Sequence, residues 1–234
     1  MIASPLISRS LVPRRLLRGR GSLLIPRSNI TATHLATSSS TTDGTSFVAT
    51  SVSPAANALL LMWWAGHTAG TPAAPTLTGY GLTWTAVGSQ SIGSVRRISL
   101  YWARTGNTAP AAGSVTADFG ATTQTAVVWS LSQFFGVDKA NPFVGGASVA
   151  TGAAITTLQS SMTLEHSRNV HASGLCIAAN AAITQDTDFT QLGQDGEAAT
   201  VIAMASGFAI GQAACDWTFS STTAGLVSAQ LRAA

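Results

Sequence analysis

Four histidines are the side chains of this sequence best suited to acid–base chemistry: His34, His67, His166 and His171. A Ser–His–carboxylate triad needs an exposed nucleophile with a base beside it, and the sequence contains no Gly-x-Ser-x-Gly elbow that would present one. None of the four stands in a motif that marks a catalytic base. The sequence therefore predicts a protein that is not an enzyme.

Four carboxylates lie within twelve residues, at Asp186, Asp188, Asp195 and Glu197. Oxygen-rich loops of this kind can hold calcium, but the spacing is not that of an EF-hand, and acidic turns between strands are commonly solvated. Calcium is thus the one candidate cofactor, and no other metal motif is predicted.

A fifth carboxylate, Asp138, follows Gly136 and Val137 after an apolar run. This order is typical of a turn in which the carboxylate accepts hydrogen bonds from nearby backbone N–H groups.

The two cysteines, Cys176 and Cys215, are too few to define a disulfide framework. Both stand in strand-like apolar contexts and are interpreted as small buried residues, with a bridge between them as the less favoured alternative. Reduced thiols fit a protein that assembles in a cytoplasm.

Adjacent aromatic residues occur twice, as Trp63–Trp64 and Tyr101–Trp102. Neighbours on a strand point to opposite faces, so one member of each pair must be exposed, cover a subunit interface, or lie against a second sheet. Interface burial is the favoured interpretation, and stacking on the sugar rings of a host-surface glycan is the alternative.

Charge is divided unevenly along the chain. Six of the twelve basic residues precede position 28, whereas no acidic residue occurs before Asp43. The basic stretch lacks interleaved aromatic residues, which argues against nucleic acid as a partner, and its prolines and glycines argue against a helix lying on a membrane. The remaining interpretation is an arm threaded across neighbouring subunits, with arginines pairing carboxylates and leucines filling grooves. The predicted anchoring residues are Arg9, Arg14, Arg15, Leu16, Leu17, Arg18, Arg20, Leu24 and Arg27.

After residue 42 the sequence becomes a series of short β-like segments separated by Gly, Pro, Asn and Asp, without strong helix signals. This pattern predicts an all-β fold, a two-sheet antiparallel β-sandwich of the jelly-roll kind over residues 43–234. Residues 1–42 are predicted to form an extended, mostly irregular N-terminal arm. The predicted strands lie near 46–52, 58–67, 82–89, 96–104, 114–119, 125–135, 155–164, 169–179, 198–209, 215–220 and 226–231.

The strand and turn sequences of residues 46–234 resemble a domain found in tailed-bacteriophage virion proteins. The segments that carry this resemblance are Asn57–Leu61, Gly81–Val87, Leu100–Ala103, Phe134–Asp138, Asn141–Phe143, Trp217–Ser220 and Gly225–Ala229. The resemblance implies a lectin-type jelly roll that serves as a decoration, fibre or adhesion module.

Together these observations predict a structural component of a phage virion, a capsid-decoration or head- or tail-associated protein that docks through its N-terminal arm. The expected partners are other copies of the chain, with a trimer as the expected oligomer, and major capsid or tail proteins. A carbohydrate-binding module of a phage fibre or tail is the alternative. The expected location is the virion, assembled in the host cytoplasm.

Overall fold

The structure, a computed structural model, describes residues 29–234. Within that range the regular structure consists of sixteen β-strands in four sheets, and every strand pairing is antiparallel. The prediction of an all-β antiparallel sandwich is confirmed, and the sheets number four rather than two. No helix of the described residues is long and apolar enough to cross a membrane.

The first eight strands form one half of the molecule. A five-stranded sheet has the order β1-β8-β3-β6-β5, and a three-stranded sheet with the order β2-β7-β4 covers one of its faces. The strands are β1 (Thr31–Ser40), β2 (Ser46–Val48), β3 (Leu59–His67), β4 (Thr76–Gly79), β5 (Thr85–Ile92), β6 (Arg96–Arg104), β7 (Val115–Asp118) and β8 (Ala126–Phe135).

The last eight strands repeat this arrangement. Their five-stranded sheet has the order β13-β14-β11-β16-β9, and their three-stranded sheet has the order β10-β15-β12. Strand β9 therefore corresponds to β1, β10 to β2, and so on to β16 and β8, and corresponding strands have corresponding neighbours. The strands are β9 (Phe143–Ala150), β10 (Ile155–Ser161), β11 (Val170–Ile177), β12 (Thr184–Gln185), β13 (Thr190–Glu197), β14 (Ile202–Ile210), β15 (Ala214–Thr222) and β16 (Ala224–Leu231).

Each half is a jelly roll. In the first half β1 pairs with β8, β2 with β7, and β3 with β6, which is the nested pairing of a long hairpin rolled into two sheets. The second half pairs β9 with β16, β10 with β15, and β11 with β14 in the same way. The region predicted as one sandwich is therefore a tandem of two jelly rolls.

The four sheets stack in layers around three hydrophobic cores. The two five-stranded sheets pack face to face around the central core, and each three-stranded sheet covers an outer core of its own half. Both faces of each five-stranded sheet are therefore covered, which explains why β3, β8, β11 and β16 are buried along almost their whole length.

The two halves are related by an approximate two-fold axis that runs between β3 and β11. The order of one five-stranded sheet is reversed over the other, so β1 contacts β13 and β5 contacts β9. At the axis Trp63 of β3 lies against Gly174 of β11, and each is the fifth residue of its strand. One of these two equivalent positions thus holds a large side chain, and the other is a glycine without one.

The predicted arm boundary at residue 42 needs correction. Residues 31–40 form β1, which pairs with β8 along its length, and Ile30 is fully buried in the central core. Sequence reasoning missed β1 because its Thr-, Ser- and Ala-rich stretch has little apolar periodicity. Any arm must therefore end before residue 29.

One end of the molecule gathers the chain connections. Strands β1, β3, β9 and β11 begin there, and β8 and β16 end there, as their antiparallel pairings require. The segment after β8 meets the segment after β16: Asp138 N–H donates to Arg232 O at 2.9 Å, and Ala234 N–H donates to Gly136 O at 2.9 Å. These bonds join the two jelly rolls at what we call the linker end.

Candidate functional site

The aromatic pairs lie inside the chain. Trp63 is in the central core, while Trp64 and Tyr101 are in the outer core of the first half, and all three are at most 5 % exposed. Half-buried Trp102 packs on Phe143 of the other jelly roll, with ring centroids 5.4 Å apart. Trp63, Trp64 and Tyr101 are therefore covered by their own chain and are not available to a subunit interface or a glycan. The subunit-interface or glycan contact of half-buried Trp102 stays a prediction.

A serine and a histidine do come together, in the outer core of the second half. Ser160 Oγ lies 2.8 Å from His171 Nε2, and both residues are completely buried. His171 Nδ1 has no hydrogen-bond partner in the described part of the chain, so no carboxylate orients the ring. A nucleophile without solvent access cannot meet a substrate, and the pair therefore has a structural role.

The same pair belongs to a buried chain of hydroxyl groups. Ser228 Oγ lies 2.6 Å from Ser160 Oγ and donates to Ser173 Oγ at 2.9 Å, and Trp217 Nε1 donates to Ser173 Oγ at 3.1 Å. This network joins β10, β16, β11 and β15 across the two sheets of the second half. Burial lowers the pKa of His171 to about 4, so the ring is neutral at neutral pH.

The other three histidines lie apart. His34 contacts Thr37 and Ser132 between the two jelly rolls, and His67 Nδ1 lies 2.7 Å from Thr125 Oγ1. Desolvation lowers the pKa of His34; it also lowers that of His67, where the nearby Arg96 acts in the same direction. Exposed His166 accepts a hydrogen bond from Arg168 N–H.

The four carboxylates considered for calcium do not converge. Asp186 accepts a hydrogen bond from Asp216 N–H at 2.7 Å, Asp188 from Gln212 at 3.2 Å, and Asp195 from Gly196 N–H at 2.8 Å. Across residues 29–234 there is no group of three or more His, Cys, Asp or Glu side chains placed to hold a metal ion.

Asp138 forms the predicted turn. Its Oδ1 accepts hydrogen bonds from Ala140 N–H at 2.8 Å and Asn141 N–H at 3.0 Å, which lower its pKa. Gly136 just before it has φ of 72°, a conformation suited to glycine. This turn begins the linker between the two jelly rolls, so the prediction is confirmed.

Cys176 and Cys215 are both free and fully buried, as the favoured interpretation of the sequence held. Burial raises the pKa of each thiol to about 12.

We expect neither cysteine to react with iodoacetamide at pH 8 in the native protein, because the thiolate is the nucleophile and neither sulfur is accessible. Intact-mass spectrometry should show no added label under native conditions and two labels per chain in urea. Rapid native labelling of one cysteine would mean that its sheet opens readily.

The arginine and leucine residues predicted for anchoring, from Arg9 to Arg27, lie outside the described residues. The structure does show where the N-terminal segment joins the body, which is at the linker end. There Ile30 is held in the central core, and β1 follows it immediately.

A pocket of about 240 Å³ also opens at the linker end. It is lined by Arg168, Asn169 and Arg232 together with Glu165, whose carboxylate lies 3.2 Å from Arg232 Nη2. This is the one ion pair in the described part of the chain. The pairing neutralises one of the two guanidinium groups that line the pocket.

Comparison with known proteins gave no match to a family model, a curated protein or a solved structure.

Proposed function

We propose that this protein is a structural, non-enzymatic component of a bacteriophage virion that docks through its N-terminal segment and packs as an oligomer. Capsid decoration and a head- or tail-associated position are the two settings that the sequence resemblance implies. The protein acts by assembly: its body packs against other copies, and its basic segment contacts neighbouring subunits.

The observation that carries this proposal is the way the basic segment joins the body. The segment leads directly into Ile30 and β1, and β1 is an integral strand held by nine pairings to β8. Arg27, the last of the six arginines, stands only three residues before Ile30 in the sequence. A contact made by the segment would therefore hold the whole body in place.

The surface composition also favours assembly. Charged residues make up 9 % of the chain, and β1, β5 and β9, which lie at free sheet edges, contain none. Edges without charge offer little protection against association, which is a disadvantage for a solitary protein and useful in an assembly.

Deleting residues 1–28 is expected to leave a folded, β-rich body that no longer associates, because the deletion removes the basic segment and spares Ile30 and β1. Light scattering of both forms at low and high salt measures the change, and near-ultraviolet circular dichroism checks the fold. If the full-length form associates more weakly at high salt, the difference measures the ionic contribution of the basic segment to association. Equal masses for the two forms at both salt concentrations would contradict the proposal.

A further inference from the structure

Strand β9 is an unprotected sheet edge. It is the last strand of its sheet and pairs only with β16, in a regular ladder from Gly145 to Ala150. Its sequence contains no charged residue and no proline, the usual devices that prevent an edge from pairing with another chain. The outward backbone N–H and C=O groups of β9 are thus available to a further strand.

Grooves lie on both faces of the sheet beside β9. On the face toward the other jelly roll, a groove of about 190 Å³ is lined by Val87, Gly88, Ser148 and Val227. On the opposite face, a groove of about 410 Å³ is lined by Val144, Met162 and Glu165. Both grooves share Gly146 and Ala147. The side chains of an added strand alternate between faces, so successive residues would enter the two grooves in turn.

Two glycines make the edge approachable. Gly145 and Gly146 are both exposed, and a Cβ at Gly145 would meet nothing within 4 Å. The grooves continue across this glycine pair because no side chain fills them. A second backbone can therefore reach the edge at ordinary hydrogen-bonding distance.

We propose that β9 accepts a strand from a second copy of this chain, supplied by residues 22–28. The proposal rests on the proposed function, since it names the contact by which the N-terminal segment joins subunits. The interaction is strand addition, in which backbone hydrogen bonds provide affinity and the two grooves select the side chains.

Pro26 has no N–H to donate, so its nitrogen must face away from β9; the rest of residues 22–28 matches the site. Leu23, Leu24 and Ile25 form the longest run of branched aliphatic residues before the described region, so alternate members would fill the grooves on the two faces. Arg27 follows two residues later and would supply a cation for Glu165, which lines the larger groove. There the Glu165 side chain is 57 % exposed and can accept a second cation beside Arg232.

Geometry favours a second copy over the same chain as the donor. Strand β1 lies at one end of its sheet and β5 at the other, so four strand spacings of about 4.8 Å separate them by about 19 Å. Strand β9 lies beside β5 in the next layer, about 10 Å away at a right angle to the sheet, so about 21 Å separate β1 from β9. From Ile30, which is fixed in the core, five extended residues reach about 17 Å to Ile25. The segment falls short of β9 in its own chain.

The test uses a photo-cross-linker, benzoylphenylalanine, at position 145 of the full-length protein. This copy is co-expressed with a second that carries no cross-linker and has Ser22→Thr as a mass label for its own segment. The matched control places the cross-linker at position 152, another glycine whose Cβ would meet nothing within 4 Å and which lies beyond the end of β9. Mass spectrometry identifies the cross-linked peptides.

We expect position 145 to cross-link to residues 22–28 of the Ser22→Thr copy, and position 152 not to do so. Cross-links to the unlabelled segment alone would place the donor in the same chain and overturn the proposal. Cross-links to other residues, or none in a protein that associates, would overturn it while leaving the proposed function standing. A full-length protein that does not associate would remove both.

A substitution gives an independent measurement. Gly145→Lys should weaken self-association roughly tenfold, because it places a charge on the edge and repels the arginines of the incoming segment. Gly152→Lys adds the same charge away from the edge and should leave association unchanged. Equal effects of the two substitutions would mean that net charge, and not the β9 edge, controls association.

Discussion

Replacing Gly174 by alanine is expected to lower the free energy of unfolding by about 3 kcal/mol, at the upper end of the usual cost of overpacking a core. The added Cβ would lie 2.8 Å from Trp63 Cγ and closer still to the Cδ1 and Nε1 atoms of the same ring. The indole cannot move aside easily, because it is fully buried and its Nε1 donates to Val227 O. Urea denaturation of the variant measures the loss.

A double-mutant cycle with Trp63→Leu tests whether the clash with Trp63 causes this loss of stability. That change alone should cost about 3 kcal/mol through the cavity it leaves, but it also makes room for the new methyl group. The double variant should therefore be more stable than the sum of the single losses predicts, by at least about 1 kcal/mol. Gly152→Ala, where a Cβ meets nothing within 4 Å, is the control and should change little. Simple additivity of Gly174→Ala and Trp63→Leu would show that the two positions do not share one space.

This contact explains why two jelly rolls of the same topology belong to one chain. A symmetric pair of first halves would bring two Trp63 side chains together at the axis, and a symmetric pair of second halves would leave a void between two Gly174 residues. In the unlike pair, the Trp63 side chain occupies the space that Gly174 leaves open. Covalent linkage through the segment between β8 and β9 keeps the unlike halves together.

Every strand with neighbours on both sides was predicted from the sequence, together with three edge strands, β2, β5 and β10. Strands β3, β6, β8, β11, β14 and β16 at the centres of the large sheets were all predicted, because burial on both faces demands long apolar runs. The strands that were missed, β1, β4, β9, β12 and β13, all lie at sheet edges. An edge strand of Thr, Ser and Gly residues pairs through its backbone and carries little periodicity. Composition alone cannot distinguish such a strand from a loop.

The duplication was also hidden from sequence reasoning. The equivalent central strands β3 and β11 read LLLMWWAGH and VHASGLCI, and their inward residues differ in size at nearly every step. The repeat is therefore visible in strand order and pairing and not in the side chains of these strands. The buried Ser160–His171 contact could be anticipated from the sequence only weakly. Polar residues at buried positions of β11 imply that the facing sheet supplies polar partners, but they do not identify those partners.

Between pH 7.5 and pH 5 the protein is expected to lose about 2 kcal/mol of stability through His171 alone. Burial depresses the pKa of this ring from 6.5 to about 4 in the folded state, whereas the unfolded chain keeps the ordinary value. The folded state therefore holds the neutral ring, and its advantage is complete above pH 6.5. As the pH falls below that value, the unfolded state binds a proton that the folded state refuses, and stability decreases until the pH approaches 4. Protonation is costly in the folded state because the ring packs on Phe189 and lies 2.8 Å from Ser160 Oγ, with no carboxylate beside it.

Urea denaturation at several pH values measures this slope, and two substitutions assign it. His171→Gln can still bond to Ser160 but does not titrate, so the variant should be less stable at pH 7.5 and should lose less stability on acidification than the unmodified protein. His166→Gln makes the same substitution at an exposed position of the same jelly roll and serves as the matched control. His34 and His67 remain in both variants, and because their pKa values are also lowered, some acid sensitivity should persist when His171 is gone. A His171→Gln profile parallel to that of the unmodified protein would mean that the pKa of His171 is nearly the same in the folded and unfolded states, which would contradict the prediction.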